Sequence, residues 1–208
     1  MKIYDISVPL TSNLVAFPGD PKLEITSFSD IEKGDHCNLS LIKLCSHTGT
    51  HIDSPKHFYP NGQTIDNIPL TRFITKAKVF DLTGRKSISY DDVKDLNIEK
   101  NDTILFKTDN KKALLEPNFK EDFVYITNDC AKYLADKKLN AVGIDYLSIE
   151  GFNCDDDLVH KTLLKSGVLI LEGLILTDVP EGEYKIIALP LKLEHGNGSP
   201  SRIVLIEK

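Results

Sequence analysis

The stretch that decides both the fold and the chemistry of this chain is Ser46–Phe58, which reads S-H-T-G-T-H-I-D-S-P-K-H-F. It places three of the chain's six histidines and one aspartate within eleven residues, at His47, His51, Asp53 and His57. Imidazole nitrogens and carboxylate oxygens are the ligands that bind zinc or manganese. The pattern therefore indicates a metal site; the alternative is a polar loop whose histidines only form hydrogen bonds.

The residues between these groups predict an extended segment that runs into a turn. Thr48, Gly49 and Thr50 are poor helix formers. Pro55 pushes the residue before it, Ser54, away from helical geometry. On a strand the four ligand candidates have the same parity, so a period of two would place them on one face. Gly49 shares this parity, and we expect its missing side chain to leave room for a metal and a substrate.

A further candidate ligand lies in a nearly continuous aliphatic run, Val168–Leu176. The run predicts a buried strand, and its single acid is Glu172. An unpaired carboxylate in such a strand is costly, so it needs a cation or good hydrogen bonds. A metal would supply the cation; the alternatives are an Arg or Lys partner, or protonation of the acid.

His160 lies in a predicted helix just before this strand. The acids of Asp155–Asp157 fit the N-terminus of a helix at Leu158–Ser166. Leu163 and Leu164 follow His160 by three and four positions, which places the imidazole beside the apolar stripe. A lone histidine there is usually a core or boundary residue. Together with the buried acid and the histidine cluster, it becomes another candidate metal ligand.

Three further residues, one cysteine and two histidines, are weaker ligand candidates. Cys45 shares strand parity with His47, but we favour a small buried thiol at the base of the site. His36 fits a loop, and His195 lies in a turn indicated by Gly and Asn. We assign neither histidine to the site.

Strand-like runs outnumber helical ones along the chain. The predicted strands are Met1–Leu10, Leu39–Leu44, Lys78–Leu82, Thr103–Lys107, Ala141–Ile144, Val168–Leu176, Tyr184–Leu191 and Arg202–Ile206, and the predicted helices are Asn128–Lys138 and Leu158–Ser166. We therefore expect an α/β fold, a single domain over residues 1–208 with a mixed β-sheet core and few helices. Asp109–Phe119 carries several charges and contains Pro117, which predicts a mobile surface segment.

Composition excludes several classes of function. The 208 residues are 41% hydrophobic and 27% charged, as in ordinary globular proteins, and the net charge of −6 gives no support to a nucleic-acid partner. No apolar run is long enough to span a bilayer, and the N-terminus lacks the features of a signal peptide. The four cysteines form no C-x-x-C pair, which predicts reduced thiols and a cytoplasmic protein.

The segment His47–His57 resembles the signature of the metal-dependent cyclase family, whose best-known member is bacterial kynurenine formamidase (arylformamidase). Weaker agreement in order and spacing extends over essentially the whole chain, at Phe17–Asp20, Gly143–Asp145, Ser148, His160, Leu171–Leu174, Gly182–Tyr184, Ala188–Leu191 and Pro200–Arg202. The resemblance implies a β/β/α arrangement, a small-molecule substrate, and a homodimer or larger homo-oligomer. From charge and hydropathy we expect no membrane or nucleic-acid partner.

The resemblance also implies two divalent metal ions per chain, zinc or manganese. By motif position, His47, His51 and Asp53 would bind the first ion. Asp53, His160 and Glu172 would bind the second ion, and Glu172 would also reach the first.

The same resemblance implies roles for two further residues. His57 would be the catalytic proton donor and acceptor rather than a ligand. Phe17 would line the substrate pocket, where formamidases of this type typically carry Trp; this chain contains no Trp.

The leading expectation is a metal-dependent amide hydrolase, an arylformamidase that converts N-formyl-L-kynurenine to L-kynurenine and formate in tryptophan catabolism. One alternative is a hydrolase of cyclic amides such as isatin, or of another small carbonyl compound, at the same site. Another is a catalytically silent metal-binding protein. The chain keeps all the ligand candidates and His57, which argues against this alternative. A serine hydrolase is disfavoured because no G-x-S-x-G elbow occurs.

Overall fold

A closed barrel of seven strands forms the centre of the fold. The computed structural model describes residues 1–154 and 156–207. The strands of this part are β1 (Ile3–Asp5), β2 (Glu24–Ser29), β3 (Leu39–Lys43), β4 (His51–Asp53), β5 (Ile74–Asp81), β6 (Thr103–Lys107), β7 (Ala141–Ile144), β8 (Leu169–Glu172), β9 (Gly182–Pro190) and β10 (Gly198–Glu207). The α-helices are α1 (Tyr90–Val93), α2 (Lys111–Leu114), α3 (Asn128–Asp136) and α4 (Leu158–Lys165). None of the helices in the described ranges is long and apolar enough to cross a membrane.

The barrel follows the strand order β10, β4, β8, β7, β6, β5 and β9, and the pairing of β9 with β10 closes the ring. The strands β5 to β8 pair in parallel, and the other pairs in the ring are antiparallel. Closure depends on the length of β10, whose residues 198–200 pair with β4 while residues 201–207 pair with β9. The predicted mixed-sheet α/β fold with few helices is confirmed. Its closure into a barrel was not predicted.

The parallel strands are apolar on both faces, which explains their nearly continuous hydrophobic sequences. Leu105 and Leu171 belong to the cluster inside the barrel, together with Ile203 of β10. Phe106 and Ile170, their neighbours in sequence, belong to the cluster shared with α3 and α4. Alternate residues of one strand therefore join two cores, one inside the barrel and one beneath the helices.

The two longer helices agree with the predicted ones to within two residues, but α4 begins in an unexpected way. Asp155, part of the predicted acidic helix start, lies outside the described residues. Asp157 occupies the N-cap position with φ of 51°, and its side chain makes no capping hydrogen bond. The carboxylate of Glu150 takes that role, because it accepts the N–H groups of Val159 at 3.0 Å and His160 at 3.4 Å.

The segment 109–119 is not confined to the surface, and that prediction was wrong. Asn110 and Leu114 are buried. The ring of Phe119 packs against the ring of Phe17, with the centroids 5.3 Å apart. The prediction failed because it rested on the charged residues of this segment and on Pro117, and left out the apolar residues that pack inward.

Strands β2 and β3 form a separate two-stranded sheet, here called the β2–β3 arm. Strand β3 was predicted, whereas β2 was not. Phe28, Leu41 and Ile42 of the arm are 74%, 61% and 53% exposed. Leu41 and Ile42 are consecutive, so both faces of the arm carry exposed apolar side chains. A two-stranded hairpin is marginally stable by itself in water, so the arm is suited to a partner.

Candidate metal centre

The candidate ligands of the 46–58 stretch come from a turn and a short strand rather than from one continuous extended segment. His51 and Asp53 lie two residues apart in β4, as the parity argument requires. That argument is wrong for the other two residues. His47 lies in the turn before β4, and His57 ends the 3-10 helix Pro55–His57 that follows it.

Gly49 does not provide the room that we predicted for a metal and a substrate. Its φ is +67°, and a Cβ atom there would lie 2.9 Å from Cδ2 of Leu10 and 3.1 Å from Cγ1 of Val8. The missing side chain thus allows a left-handed turn packed tightly against apolar groups. The carbonyl oxygen of this glycine lies 2.9 Å from Nδ1 of His51, and so holds one nitrogen of that ring.

The pairing of β4 with β8 brings the buried acid of β8 beside the histidines. His51 and Glu172 are opposite each other in the antiparallel register. Nε2 of His51 lies 3.1 Å from one carboxylate oxygen of Glu172, and Nε2 of His160 lies 3.3 Å from the other. The backbone N–H of Ile149 donates to the same carboxylate at 2.7 Å. The acid thus faces histidines rather than the Arg or Lys partner considered as an alternative.

Five side chains form two overlapping groups that could each hold an ion. The first group is His47, His51 and Asp53, and the second is Asp53, His160 and Glu172. Within each group the ligand atoms lie within 4.8 Å of one another. Because Asp53 belongs to both groups, it is suited to bridge two ions.

The atoms at the centre of these groups lack hydrogen-bond partners. Within the part of the chain that the structure describes, no partner is found for Nε2 of His51 or for either carboxylate oxygen of Asp53, although all three atoms are buried. Nδ1 of His47 approaches Oδ1 of Asp53 to 2.7 Å, but without the angles of a hydrogen bond. Unpartnered buried polar atoms are costly. A divalent cation would satisfy them, so the residues fit a metal.

The electrostatics of the site also favour a cation. Burial would raise the pKa of Asp53, but the nearby histidines, above all His47, outweigh burial and hold that pKa well below its usual range. Burial opposes protonation of His160, yet its hydrogen bonds with Glu150 and Glu172 raise its pKa to about 10. Despite burial, the nearby carboxylates of Asp53 and Glu172 also hold the pKa of His51 well above 6.5, so the imidazoles of His51 and His160 favour the protonated form in the metal-free chain. Metal binding would replace these protons.

Each candidate ligand histidine also has its second ring nitrogen held by another residue. These pairs are Nδ1 of His51 with the carbonyl oxygen of Gly49 at 2.9 Å, Nδ1 of His160 with Oε2 of Glu150 at 2.7 Å, and Nε2 of His47 with Oδ1 of Asn197 at 3.2 Å. Such partners decide which nitrogen faces a metal. Sequence reasoning missed Glu150 and Asn197, because one acid in a loop and one amide in a turn carry no spacing signal.

His57 lies beside the ligand groups but belongs to neither. Its ring stacks on the ring of His47, with the centroids 4.0 Å apart, and lies 6.3 Å from the ring of His160. Burial lowers the pKa of His57 from its ordinary value of 6.5. A neutral imidazole at this position can accept and return a proton near neutral pH.

Four of the five candidate ligands, His47, His51, His160 and Glu172, line a cavity of about 400 Å³ that also has an aromatic wall. Phe17 and Phe152 contribute to this wall, with their ring centroids 5.8 Å apart. Phe119 supports Phe17 from behind in an edge-to-face contact. Cys45 lines the cavity as well, half-buried and in neither ligand group.

Comparisons with known proteins agree with this geometry. A family model described as "Putative cyclase" matches residues 4–151. The chain is 34% identical to the kynurenine formamidase of Salinibacter ruber (strain DSM 13855 / M31) over 207 residues, which cover 99% of this chain and 97% of that protein. It is 30% identical to the kynurenine formamidase of Bacillus cereus (strain ATCC 14579) over 201 residues, which cover 97% of this chain and 95% of that protein.

Solved structures give the same picture. A predicted metal-dependent hydrolase from Bacillus stearothermophilus is 39% identical, with a TM-score of 0.86 over 98% of this chain and 97% of that one. An isatin hydrolase bound to thioisatinate has a TM-score of 0.87 over 100% of this chain and 93% of that one. Its identity is 24%, so this second likeness concerns the fold.

Proposed function

The chain belongs to the cyclase family, and we propose that it is an arylformamidase that hydrolyses N-formyl-L-kynurenine to L-kynurenine and formate in tryptophan catabolism. Relatives of nearly equal length are kynurenine formamidases, and a structural neighbour is a predicted metal-dependent hydrolase. The chain is thus a hydrolase of a C–N bond other than a peptide bond, as predicted. The observation that carries the substrate proposal is that histidines of both ligand groups line one aromatic-walled cavity together with His57.

The proposal includes two divalent ions per chain, zinc or manganese. His47, His51 and Asp53 would hold one, and Asp53, His160 and Glu172 would hold the other. Five candidate ligands are more than one tetrahedral site uses, and the orphaned atoms of His51 and Asp53 support the assignment. Bound ions of this kind supply a water activated near neutral pH and polarise a carbonyl oxygen.

His57 is proposed to move the proton that the reaction requires. The amine released from a formamide is a poor leaving group unless its nitrogen is protonated as the C–N bond breaks. His57 lines the cavity, stands outside both ligand groups, and is held against His47 by ring stacking. It can therefore accept a proton from the attacking water and return it to the amine nitrogen.

The aromatic wall is proposed to hold the ring of the substrate. Phe17 offers an aromatic face, and its contacts with Phe119 and Phe152 keep that ring in place. Compared with Trp, which we expect in formamidases of this type, Phe has less area and no N–H donor. Binding of an aryl formamide should accordingly be weaker than in a Trp-containing relative.

A second candidate function is the hydrolysis of a cyclic amide such as isatin. It is favoured by the fold shared with an isatin hydrolase and by the replacement of Trp at Phe17. A catalytically silent metal-binding protein remains the alternative outside enzymes. The retained His57 argues against it, because such a protein could lose this residue and keep its metal.

We infer that the chain forms a homodimer or a larger homo-oligomer. The exposed apolar side chains of the β2–β3 arm, Phe28 and Leu41 among them, support this inference because such a surface is rarely left in water. Light scattering should give at least twice the monomer mass for the wild type. Substitution of both residues by Ser should shift the mass toward the monomer. We also infer a cytoplasmic location, supported by the cysteine pattern.

The substrate assignment is tested by offering the zinc-loaded protein N-formylkynurenine and isatin separately. We expect formate release from N-formylkynurenine with a kcat/KM at least about tenfold above that for isatin, the discrimination that one good contact can provide. Opening of isatin without formate release would move the assignment to cyclic amides. Turnover of neither substrate by zinc- or manganese-loaded protein would favour the silent metal-binding protein.

A further inference from the structure

Within the described residues, the hydrogen bonds of the Glu150 carboxylate all go to one end of α4. Its oxygens accept the backbone N–H groups of Val159 at 3.0 Å and His160 at 3.4 Å, and one oxygen lies 2.7 Å from Nδ1 of the His160 ring. The side chain of Glu150 is 5% exposed, so water hardly competes for these contacts. The carboxylate therefore fixes both the start of the helix and the orientation of one imidazole.

The short loop that carries Glu150 holds a second candidate ligand as well. The N–H of Ile149 donates to Oε1 of Glu172 at 2.7 Å. Ser148 stiffens the loop, because its hydroxyl donates to the carbonyl oxygen of Glu150 at 2.9 Å and accepts the N–H of that residue at 3.2 Å. Consecutive residues thus position two members of the group formed by Asp53, His160 and Glu172.

We propose that Glu150 is a positioning residue for the metal position formed by Asp53, His160 and Glu172. By accepting a hydrogen bond from Nδ1–H of His160, it leaves Nε2 as the nitrogen that faces the other two ligands. A carboxylate partner also makes the imidazole a stronger donor to a metal. The inference rests on the metal part of the proposed function and is independent of the substrate.

The other ligand histidines have neutral partners, which makes the effect of Glu150 specific to one position. His51 is held by the carbonyl of Gly49, and His47 by the amide of Asn197. Loss of the Glu150 charge should therefore weaken one metal position and spare the other. If Glu150 only caps α4, its loss should lower stability and leave both metal affinities unchanged.

The test is calorimetric titration of the metal-free protein with zinc, together with thermal unfolding of the metal-free form. Glu150→Gln keeps the volume of the side chain but removes its charge and one acceptor. We expect one zinc equivalent to bind about 10–100-fold more weakly, the usual effect of losing such a partner, and the other to keep its wild-type affinity. The matched control is Asp92→Asn, which removes the carboxylate from the capping box of α1 and should leave both affinities unchanged.

Each outcome bears on the proposal. A folded Glu150→Gln protein that binds both zinc equivalents with wild-type affinity overturns it, and a lower unfolding temperature would then identify a helix cap alone. If Glu150→Gln does not fold, Glu150→Asp provides the test, because its shorter side chain keeps the charge but moves it away from the ring of His160. Wild-type zinc affinities in Glu150→Asp would also overturn the proposal. A wild-type protein that binds zinc yet releases no formate would refute the substrate while leaving this test valid.

Discussion

The imidazole ring of His57 lies nearly parallel to the ring of His47, with the centroids 4.0 Å apart and the planes inclined by 28°. The stack places a residue outside both ligand groups directly beside a candidate ligand. Burial lowers the pKa of His57, so the ring is largely neutral at pH 7. Two neighbouring histidines of the same motif therefore have different expected tasks, metal binding for His47 and proton transfer for His57.

Replacement of His57 should separate these tasks. We expect His57→Asn to lower kcat by roughly 10²–10⁴-fold, the usual range for a lost general acid–base, while the metal content stays close to that of the wild type. Elemental analysis and formate release measured on the same sample decide the matter. Metal lost in proportion to activity would make His57 a ligand instead.

The sequence predicted which residues come together better than it predicted the route by which they meet. His51 and Asp53 were correctly placed on one strand face, and the acid of β8 was correctly placed in a buried strand. His47 was expected on the same strand, but it reaches the site from a turn. In that turn Gly49 has a left-handed backbone conformation and packs tightly against apolar side chains. Short-range parity cannot describe a chain that changes conformation within three residues.

The other features that were not predicted depend on contacts between residues that are distant in sequence. Closure of the barrel depends on β10 reaching two different strands, and no local pattern encodes which strands these are. Glu150 is one of 31 acidic residues, and only the fold places it against His160. Phe119 lies in a charged segment, and its contact with Phe17 depends on tertiary structure.

The aromatic wall predicts how Phe17 affects binding. Phe17→Trp should lower KM for N-formylkynurenine with little change in kcat, because stacking far from the reacting carbon contributes equally in the ground and transition states. Phe17→Ala should raise KM. Steady-state kinetics of the two variants test this, and a KM unchanged in both would remove Phe17 from the substrate pocket.

Gly173, directly after the acid of β8, should tolerate no side chain. Its φ is +68°, and a Cβ atom there would overlap the backbone of Gly49, whose carbonyl holds His51. Gly84 has a similar φ of +82° but faces open space, so Gly84→Ala is the control and should cost only about 1–2 kcal/mol for the left-handed backbone. Urea unfolding should show a larger loss for Gly173→Ala, accompanied by lower metal content. Equal losses in the two variants would refute the steric argument.

Asp145 should make the free energy of unfolding depend on pH. It is buried and accepts hydrogen bonds from the backbone N–H and the hydroxyl of Thr108, yet burial raises its pKa from 3.8 to about 6. Because the folded pKa exceeds the unfolded one, the contribution of Asp145 is complete below pH 3.8 and is lost as the pH rises through 6. Compared with Asp145→Asn, the wild type should lose on the order of 3 kcal/mol between pH 4 and pH 7. A difference in unfolding free energy between the two metal-free proteins that is constant with pH would contradict the assignment.

Hydrolysis should depend on metal held by five side chains, those of His47, His51, Asp53, His160 and Glu172. The most direct measurement is formate release from N-formylkynurenine as zinc is returned to the metal-free protein. We predict a folded but inactive metal-free chain whose activity rises until about two equivalents are bound, because five ligands exceed one tetrahedral site. Glu172→Gln, which removes one buried charge, should bind less zinc and regain less activity. A folded metal-free protein as active as the loaded one would contradict the claim.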